Sequence, residues 1–285
     1  MPLFMFISGF FSKDLEKSRS KGANILLEYL IVQILFVIYY IAMEGQSFSL
    51  LRWVSSGFSM WYLFVLGIIK IIFPDLVKMK HPIVFCAILS ILAMTSSPDG
   101  SLEKAVVKLA ANMIYFVLGY YTTNLQIAKI RSLSKWIYLL MFTAGVASFC
   151  LIIKCGAFKA NFLRMMFLRE KSIESLGYGN WGFLWYVYVL VISIWMGICI
   201  IGLVPKKKYF VSFVGKNTIT IYIGQAFLYL FFKMALSEGY FFNSYMLNYV
   251  FAFCLSILCV LIFGNNTVAN MFCLFVGKCK KLILK

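Results

Sequence analysis

The chain has 285 residues, of which 62% are hydrophobic and only 13% are charged, and its mean hydropathy is +0.90. Soluble globular domains are about half apolar and about a quarter charged, so this composition excludes a soluble protein and indicates an integral membrane protein. The net charge of +17 is spread over short stretches between apolar segments, which indicates membrane topology rather than nucleic-acid binding.

The first eleven residues, MPLFMFISGFF, are apolar from the start of the chain. Eleven helical residues rise about 16 Å, roughly half of the ~30 Å hydrocarbon core of a bilayer. No Lys or Arg precedes the apolar part, so the stretch does not have the pattern of a signal peptide. We interpret it as the inner half of a membrane helix whose beginning is absent. The alternative is a short re-entrant or interfacial segment.

Eight longer apolar segments follow, separated by polar or proline-containing stretches. Residues 12–22 are expected to form a polar loop, and Pro74 is expected to end a helix. The predicted fold class is an all-α polytopic membrane bundle of about eight full spans plus the partial first helix, in a single domain over residues 1–285. The predicted spans are 23–43, 58–73, 82–95, 105–123, 136–153, 181–204, 210–234 and 247–263.

Basic residues alternate between the loops and predict the orientation. One set of alternate loops carries 18 of the 27 Lys and Arg residues, and the opposite set carries far fewer. The positive-inside rule places the basic set in the cytoplasm, with Met1 on the outer side and the C-terminus in the cytoplasm. The basic set is 12–21, 70–81, 124–135, 205–216 and 264–285.

Metal and disulfide chemistry have little support in the sequence. The eight cysteines lie mostly inside apolar runs, none forms a C-x-x-C pair, and the only histidine is His81. We therefore predict no metal site and no disulfide framework. His81 precedes a proline in a basic loop with no adjacent acidic partner, and a solvated histidine is the favoured reading there.

Four motifs occur in order along the chain: PLFMFISGFF at 2–11, WYL at 61–63, YFVLGYY at 115–121 and PKKKYFVSFVGKNTITIYIGQAFLY at 205–229. Together they resemble the acyltransferase 3 family and its P-L-F-x-F-x-S-G, W-[FY]-L, F-x-x-G-[YF] and L-G-[KR]-x-[ST]-L-x-x-Y patterns. The resemblance covers essentially the whole chain. It implies a membrane O-acetyltransferase that moves an acetyl group from cytoplasmic acetyl-CoA to a sugar hydroxyl of a bacterial surface polysaccharide or glycolipid.

Polar residues on the last of these motifs share one helical face. Thr218, Tyr222, Gln225 and Tyr229 are spaced by four, three and four residues. Polar groups avoid lipid, so this face is expected to point into the bundle, where it makes interhelical hydrogen bonds or lines a substrate cavity together with Ser8. In many members of the family a histidine stands where Gln225 does. Glutamine cannot titrate, which argues against proton transfer at this position.

Lysines near this helix are candidates for the donor site. Lys206, Lys207, Lys208 and Lys216 could bind the phosphates of acetyl-CoA as a substrate rather than a bound cofactor, or they could be ordinary positive-inside residues. Lys108, one turn before Asn112, could line a cavity, but snorkelling to the interface is the favoured reading. The basic, aromatic stretch 154–180 could meet acidic glycans or lipid headgroups, and a solvated interfacial loop is favoured there.

The resemblance also implies what the sequence does not contain. Family members use an Arg and a His upstream of the PLFxFxSG helix, and this histidine would be the general base. The expected catalytic residues therefore lie before Met1, none is assigned within the chain, and we expect the chain as it stands to be inactive. It could be a fragment, a wrongly assigned start or a decayed gene product. A glycan or lipid transporter or flippase, or a non-enzymatic membrane subunit, remains the alternative.

Overall fold

The computed structural model describes residues 1–44, 60–96, 101–154, 182–205, 212–235 and 245–283. The described residues form twelve α-helices and contain no β-strand, which confirms the all-α class. The helices are α1 (Pro2–Phe10), α2 (Leu15–Glu44), α3 (Trp61–Leu76), α4 (Pro82–Thr95), α5 (Ser101–Tyr121), α6 (Asn124–Ser132), α7 (Lys135–Lys154), α8 (Gly182–Leu203), α9 (Ser212–Lys216), α10 (Thr218–Ala235), α11 (Tyr245–Phe263) and α12 (Asn266–Ile283).

Four of the described helices are long and apolar enough to cross a membrane, and α5 with α6 makes a fifth if this bent pair is one span. Shorter apolar helices run over Pro82–Ala93 and Thr218–Leu228. The predicted number of eight full spans stays a prediction. The four long candidates are Leu15–Tyr39, Lys135–Ile152, Gly182–Leu203 and Met246–Phe263.

Three polar stretches are helical where the sequence predicted loops or a helix end. The predicted loop at 12–22 is mostly the first turns of α2, and the loop at 124–135 contains α6, which bends by 90° from α5. The start of α6 is fixed by a capping box, because Thr123 and Gln126 exchange side-chain and backbone hydrogen bonds. Pro74 lies inside α3 rather than at its end. Arg19 supports this last turn by donating to the Ile71 carbonyl at 3.3 Å.

The contacts divide the chain into two compact units. The first contains Met1–Leu26 and Gln46–Val204, and the second contains Leu27–Gly45 and Pro205–Lys285. The prediction of a single domain stays a prediction.

The core of the first unit forms where α1 and α3 pack against α5. Met5, Val65, Phe73 and Phe116 are almost completely buried there, and the rings of Phe73 and Phe116 meet edge to face with centroids 4.9 Å apart. The same unit adds the pairs α4–α5 and α7–α8. α1, although only nine residues long, is therefore a central packing element.

Two glycines explain how α1 reaches this position. A methyl group added at Gly9 would overlap the carbonyl oxygen of Phe116, and one added at Gly119 would overlap the carbonyl oxygen of Phe6. The two helices thus cross backbone to backbone. Close crossing through small residues is a main way for membrane helices to gain packing, because lipid supplies no hydrophobic driving force between them.

The second unit is built around α10, α11 and α12 with the C-terminal part of α2. The rings of Phe36 and Phe227 stack with centroids 4.4 Å apart. Asn217, just before α10, donates through its side-chain amide to the Gly264 carbonyl at 2.7 Å. Lys280 of α12 binds Glu28 of α2 at 2.9 Å, with both side chains mostly buried. A polar residue of the apolar helix α2 thus has an ionic partner in this unit.

Candidate functional site

A chain of polar contacts crosses the end of α1 inside the first unit. Lys70 of α3 is only 7% exposed and donates from its ammonium to the Ser12 hydroxyl at 2.6 Å. Ser12 in turn donates to the Ser8 carbonyl, also at 2.6 Å. The ammonium lies 5.5 Å from the centroid of the Phe116 ring, which offers a cation–π contact. A cation is therefore held in an otherwise apolar core by a hydroxyl and an aromatic face.

Sequence reasoning did not single out this lysine, because Lys70 was counted with the basic residues of the stretch 70–81 although it also lies within the predicted span 58–73. The structure places it within α3, six residues before the helix ends at Leu76. The signal was present in the sequence: Lys70 is the only charged residue between Trp61 and Phe73. An ionisable residue within an apolar membrane segment is a functional-site hypothesis by default.

Ser8, predicted to line a substrate cavity, lies half-buried on α1 and is hydrogen-bonded to the hydroxyl of Tyr62 on α3. Tyr62 follows Trp61, whose ring lies 5.5 Å from the ammonium of Lys108. The motif residues of α1 and α3 therefore contact each other. Asn112, the other candidate on α5, donates to the Lys108 carbonyl of its own helix at 2.8 Å.

Lys13 joins the end of α1 to the end of α5. Its ammonium donates to the carbonyls of Tyr120 and Thr122, the latter at 2.8 Å. The same ammonium lies 5.3 Å from the Phe10 ring centroid and 5.1 Å from that of Tyr120. The positive charge stabilises the carbonyl end of α5, where the helix dipole is negative.

Two tyrosine–serine pairs, one of them fully buried, connect α8 to its neighbours. Tyr186 lies 2.6 Å from the Ser90 hydroxyl, which also donates to the Ala111 carbonyl at 3.2 Å. Tyr115 on α5 is hydrogen-bonded to Ser193. Every hydroxyl in these pairs has a partner, so they satisfy the polar groups of the core and fix the position of α8.

A cavity of about 550 Å³ opens beside the second pair. It lies between α1, α5, α6, α7 and α8 of the first unit, and its walls are mostly aliphatic and aromatic. Lys129 and Gln126 of α6 line it where the chain bends away from α5. Ligand pockets in proteins have volumes of about 300–1,000 Å³, so this cavity is large enough for a small molecule or a hydrocarbon chain.

The other predicted site residues lie in the second unit, on and before α10. The Thr218 hydroxyl donates to the Gly215 carbonyl at 2.9 Å, Tyr222 is half-buried, and Gln225 is exposed. The side chain of Tyr229 lies outside the described residues. A role of this face in a substrate cavity stays a prediction.

Lys216 is exposed at the end of α9, and Lys206–Lys208 fall outside the described residues. His81 is exposed at the residue that precedes α4. No group of three or more His, Cys, Asp or Glu side chains that could hold a metal ion occurs in the part of the chain that the structure describes.

Comparison with known proteins gives one match. No curated protein and no solved structure matches the chain. The sequence model of the acyltransferase 3 family, described as an acyltransferase domain, matches residues 1–265. This match spans all four motifs, includes the α1–α5 crossing and the polar contacts at its end, and extends into the second unit as far as residue 265. The chain is thus a membrane protein that belongs to the acyltransferase 3 family.

Proposed function

We propose that the protein is a membrane O-acetyltransferase that moves an acetyl group from acetyl-CoA to a sugar hydroxyl of a bacterial surface polysaccharide or glycolipid. The observation that carries this proposal is the family match over residues 1–265, which supports a membrane acyltransferase in general. The proposal goes further than this match in naming acetyl-CoA as the donor and a surface glycan as the acceptor. No residue of the chain is assigned as the general base.

Acetyl-CoA is proposed to arrive from the cytoplasm, where a cationic surface would favour its approach. Lys206–Lys208 and Lys216 precede α10 in the sequence, and their positive charge favours the phosphates of acetyl-CoA. Thr218, Tyr222 and Gln225 on α10 are proposed to line a substrate cavity with hydroxyl and amide groups, and Ser8 is proposed as a substrate-cavity residue on α1. These groups hydrogen-bond to sugar hydroxyls without needing to titrate.

The lysine assignment can be tested by changing Lys206, Lys207, Lys208 and Lys216 together to glutamine in a preparation with measurable transfer. We expect a higher KM for acetyl-CoA and normal insertion into the membrane. The matched control changes four exposed lysines elsewhere (Lys17, Lys80, Lys135 and Lys281). An equal effect of both sets on KM would show that only overall charge matters.

The orientation part of the proposal places the basic loops in the cytoplasm. Reporter fusions test it directly. Fusions after Arg19, Lys80, Arg131 and Lys207 should report cytoplasm, and fusions after Asp99 and Glu174 should report the outer side. Two or more contradictions among these six fusions would overturn the orientation.

The function itself is tested by deleting the whole gene and analysing the surface glycan. An acetyltransferase predicts that the glycan reaches the surface in normal amount but loses O-acetyl groups. A transporter or flippase, the alternative, predicts a loss of the glycan itself. Normal amounts of both glycan and O-acetyl groups would contradict the proposal, provided that no second gene of the family acts on the same glycan.

A further inference from the structure

We propose that the 550 Å³ cavity of the first unit holds one hydrocarbon chain of an anionic membrane lipid, with the lipid headgroup beside Lys129. The cavity lies between α1, α5, α6, α7 and α8, near the bend between α5 and α6. This proposal stands apart from acetyl transfer, because it rests on the cavity alone and not on the donor or acceptor.

The walls of the cavity favour a hydrocarbon chain. Leu3, Phe6, Leu118, Ile194 and Ile201 supply apolar surface from three helices. Aliphatic and aromatic walls gain free energy from contact with methylene groups and offer no hydrogen bonds to a polar ligand.

The hydroxyl groups that line the cavity are already satisfied by the protein. Tyr115 is hydrogen-bonded to Ser193, and Tyr138 donates to the Ile130 carbonyl. Thr122, just after α5, donates to the Leu118 carbonyl of that helix at 2.7 Å. A polar ligand such as a sugar would have to break these bonds, whereas a hydrocarbon chain leaves them intact.

One charged group at the cavity is free to meet a ligand. Among the described residues, the Lys129 ammonium has neither a hydrogen bond nor an ion pair, although it lines the cavity and is exposed. Gln126, its neighbour one turn earlier, uses its side-chain oxygen to cap α6. An apolar cavity with one unpaired ammonium at its edge matches an amphiphile that carries an anionic headgroup.

The surroundings of the cavity indicate that the amphiphile comes from the membrane. Leu125 on α6 is 82% exposed, and Trp136 and Leu140 on α7 are 74% and 70% exposed. Exposed Leu and Trp side chains on membrane helices face lipid, and tryptophan concentrates at the headgroup level. An anionic phospholipid is the amphiphile present at that surface, so it is the proposed occupant.

Photo-crosslinking can test the site in vesicles that contain phosphatidylglycerol with a diazirine near the end of one acyl chain. We expect labelling of peptides that contain Leu118 and Ile198, both of which line the cavity. Gly197→Phe should lower this labelling at least fivefold. Gly197 lines the cavity, and a Cβ atom there would meet only a Leu3 methyl carbon at 3.8 Å, so the ring can extend into the cavity.

The matched control is Gly277→Phe, because Gly277 is also inside a helix and an added Cβ there has no neighbour within 4 Å. Ile201→Trp is a second cavity-filling variant in case Gly197→Phe fails to fold. For the headgroup, Lys129→Gln should lower labelling by phosphatidylglycerol about fivefold, as expected for one cation at a membrane surface. Lys135→Gln, an exposed lysine that does not line the cavity, should have no effect.

Two results would overturn the proposal. The first is labelling spread evenly over lipid-facing helices and unchanged by either cavity-filling variant. The second is displacement of the label by a long-chain acyl-CoA at lower concentration than by unlabelled phosphatidylglycerol, which would identify an acyl thioester as the occupant.

Discussion

Replacing Gly9 by alanine is expected to separate α1 from α5 and to destabilise the protein. The added methyl group would overlap the carbonyl oxygen of Phe116, which is main chain and cannot rotate away as a side chain can. The phenyl ring of Phe116 is completely buried, so local adjustment of α5 is also restricted. The remaining response is a shift of one helix away from the other.

The magnitude follows from overpacking in a rigid core, which costs about 1–3 kcal/mol. Where there is space for the methyl group, replacing a helical glycine by alanine raises the free energy of unfolding by up to about 1 kcal/mol. Gly277 has that space and serves as the control. We therefore expect Gly9→Ala to be about 2–4 kcal/mol less stable than Gly277→Ala. At about 2–4 °C per kcal/mol for a protein of this size, this difference corresponds to about 4–16 °C.

The assay is thermal unfolding of the purified protein in detergent, followed by the fraction that stays monodisperse on gel filtration after heating. Gly119→Ala should behave like Gly9→Ala, because its methyl group would overlap the Phe6 carbonyl of the same crossing. The double variant should cost less than the sum of the two single variants, since the first change already separates the helices. Midpoints of Gly9→Ala and Gly277→Ala within about 2 °C of each other would refute the reasoning.

Three further changes test polar groups of the two units. Lys70→Met should keep or raise the stability, because it removes a buried charge and keeps the side-chain volume. Lys70→Ala should lower the free energy of unfolding by about 2–5 kcal/mol. Equal losses for the two variants in thermal unfolding would show that the charge itself stabilises the protein. A double-mutant cycle of Glu28→Gln and Lys280→Gln should give a coupling of about 1 kcal/mol for this mostly buried pair, and additive effects would contradict it. Asp75 lies beyond the predicted span, and a hydrogen bond from Lys78 helps to hold the pKa of its carboxyl below the usual value. The stabilising effect of the Asp75 carboxylate should therefore be complete above about pH 4 and decline in acid. In the Asp75→Asn variant the unfolding midpoint should change less between pH 5 and pH 3 than in the unchanged protein.

The sequence predicted the class of the protein because composition alone forces it: so apolar a chain has to be covered by lipid. Helix boundaries were less accessible, since they depend on local capping and on partners far away in sequence. The start of α6 is set by the Thr123 capping box, and the last turn of α3 past Pro74 is supported by Arg19 from α2. Hydropathy averages over a window and cannot detect either effect.

The same limit applies to the candidate site. Lys70 lies four residues before Pro74, near the predicted end of the span 58–73, and it was therefore counted with the basic residues of the following loop. Its hydrogen-bond partner is Ser12, which is distant in sequence and close only in the fold. By contrast, the Ser8 assignment rested on a motif, and the structure gives this serine a partner, Tyr62, in another motif. Sequence motifs indicated which helices contribute to the candidate site. Contacts between those helices, seen only in the structure, identified which side chains are hydrogen-bonded to each other.

The motifs behind the family resemblance have a common physical basis in this fold. The glycine of the first motif, Gly9, and the glycine of the third, Gly119, belong to a single helix crossing in which each lies against the backbone of the opposite helix. A motif that requires glycine at such a position records a packing constraint, because any larger side chain separates the helices. The polar groups beside it, Ser8 and Lys13, depend on that close approach: Lys13 reaches the carbonyls at the end of α5 only while α1 stays against it. The two motif glycines therefore position the side chains around the crossing, so a substitution there should disturb stability together with any activity that depends on those side chains.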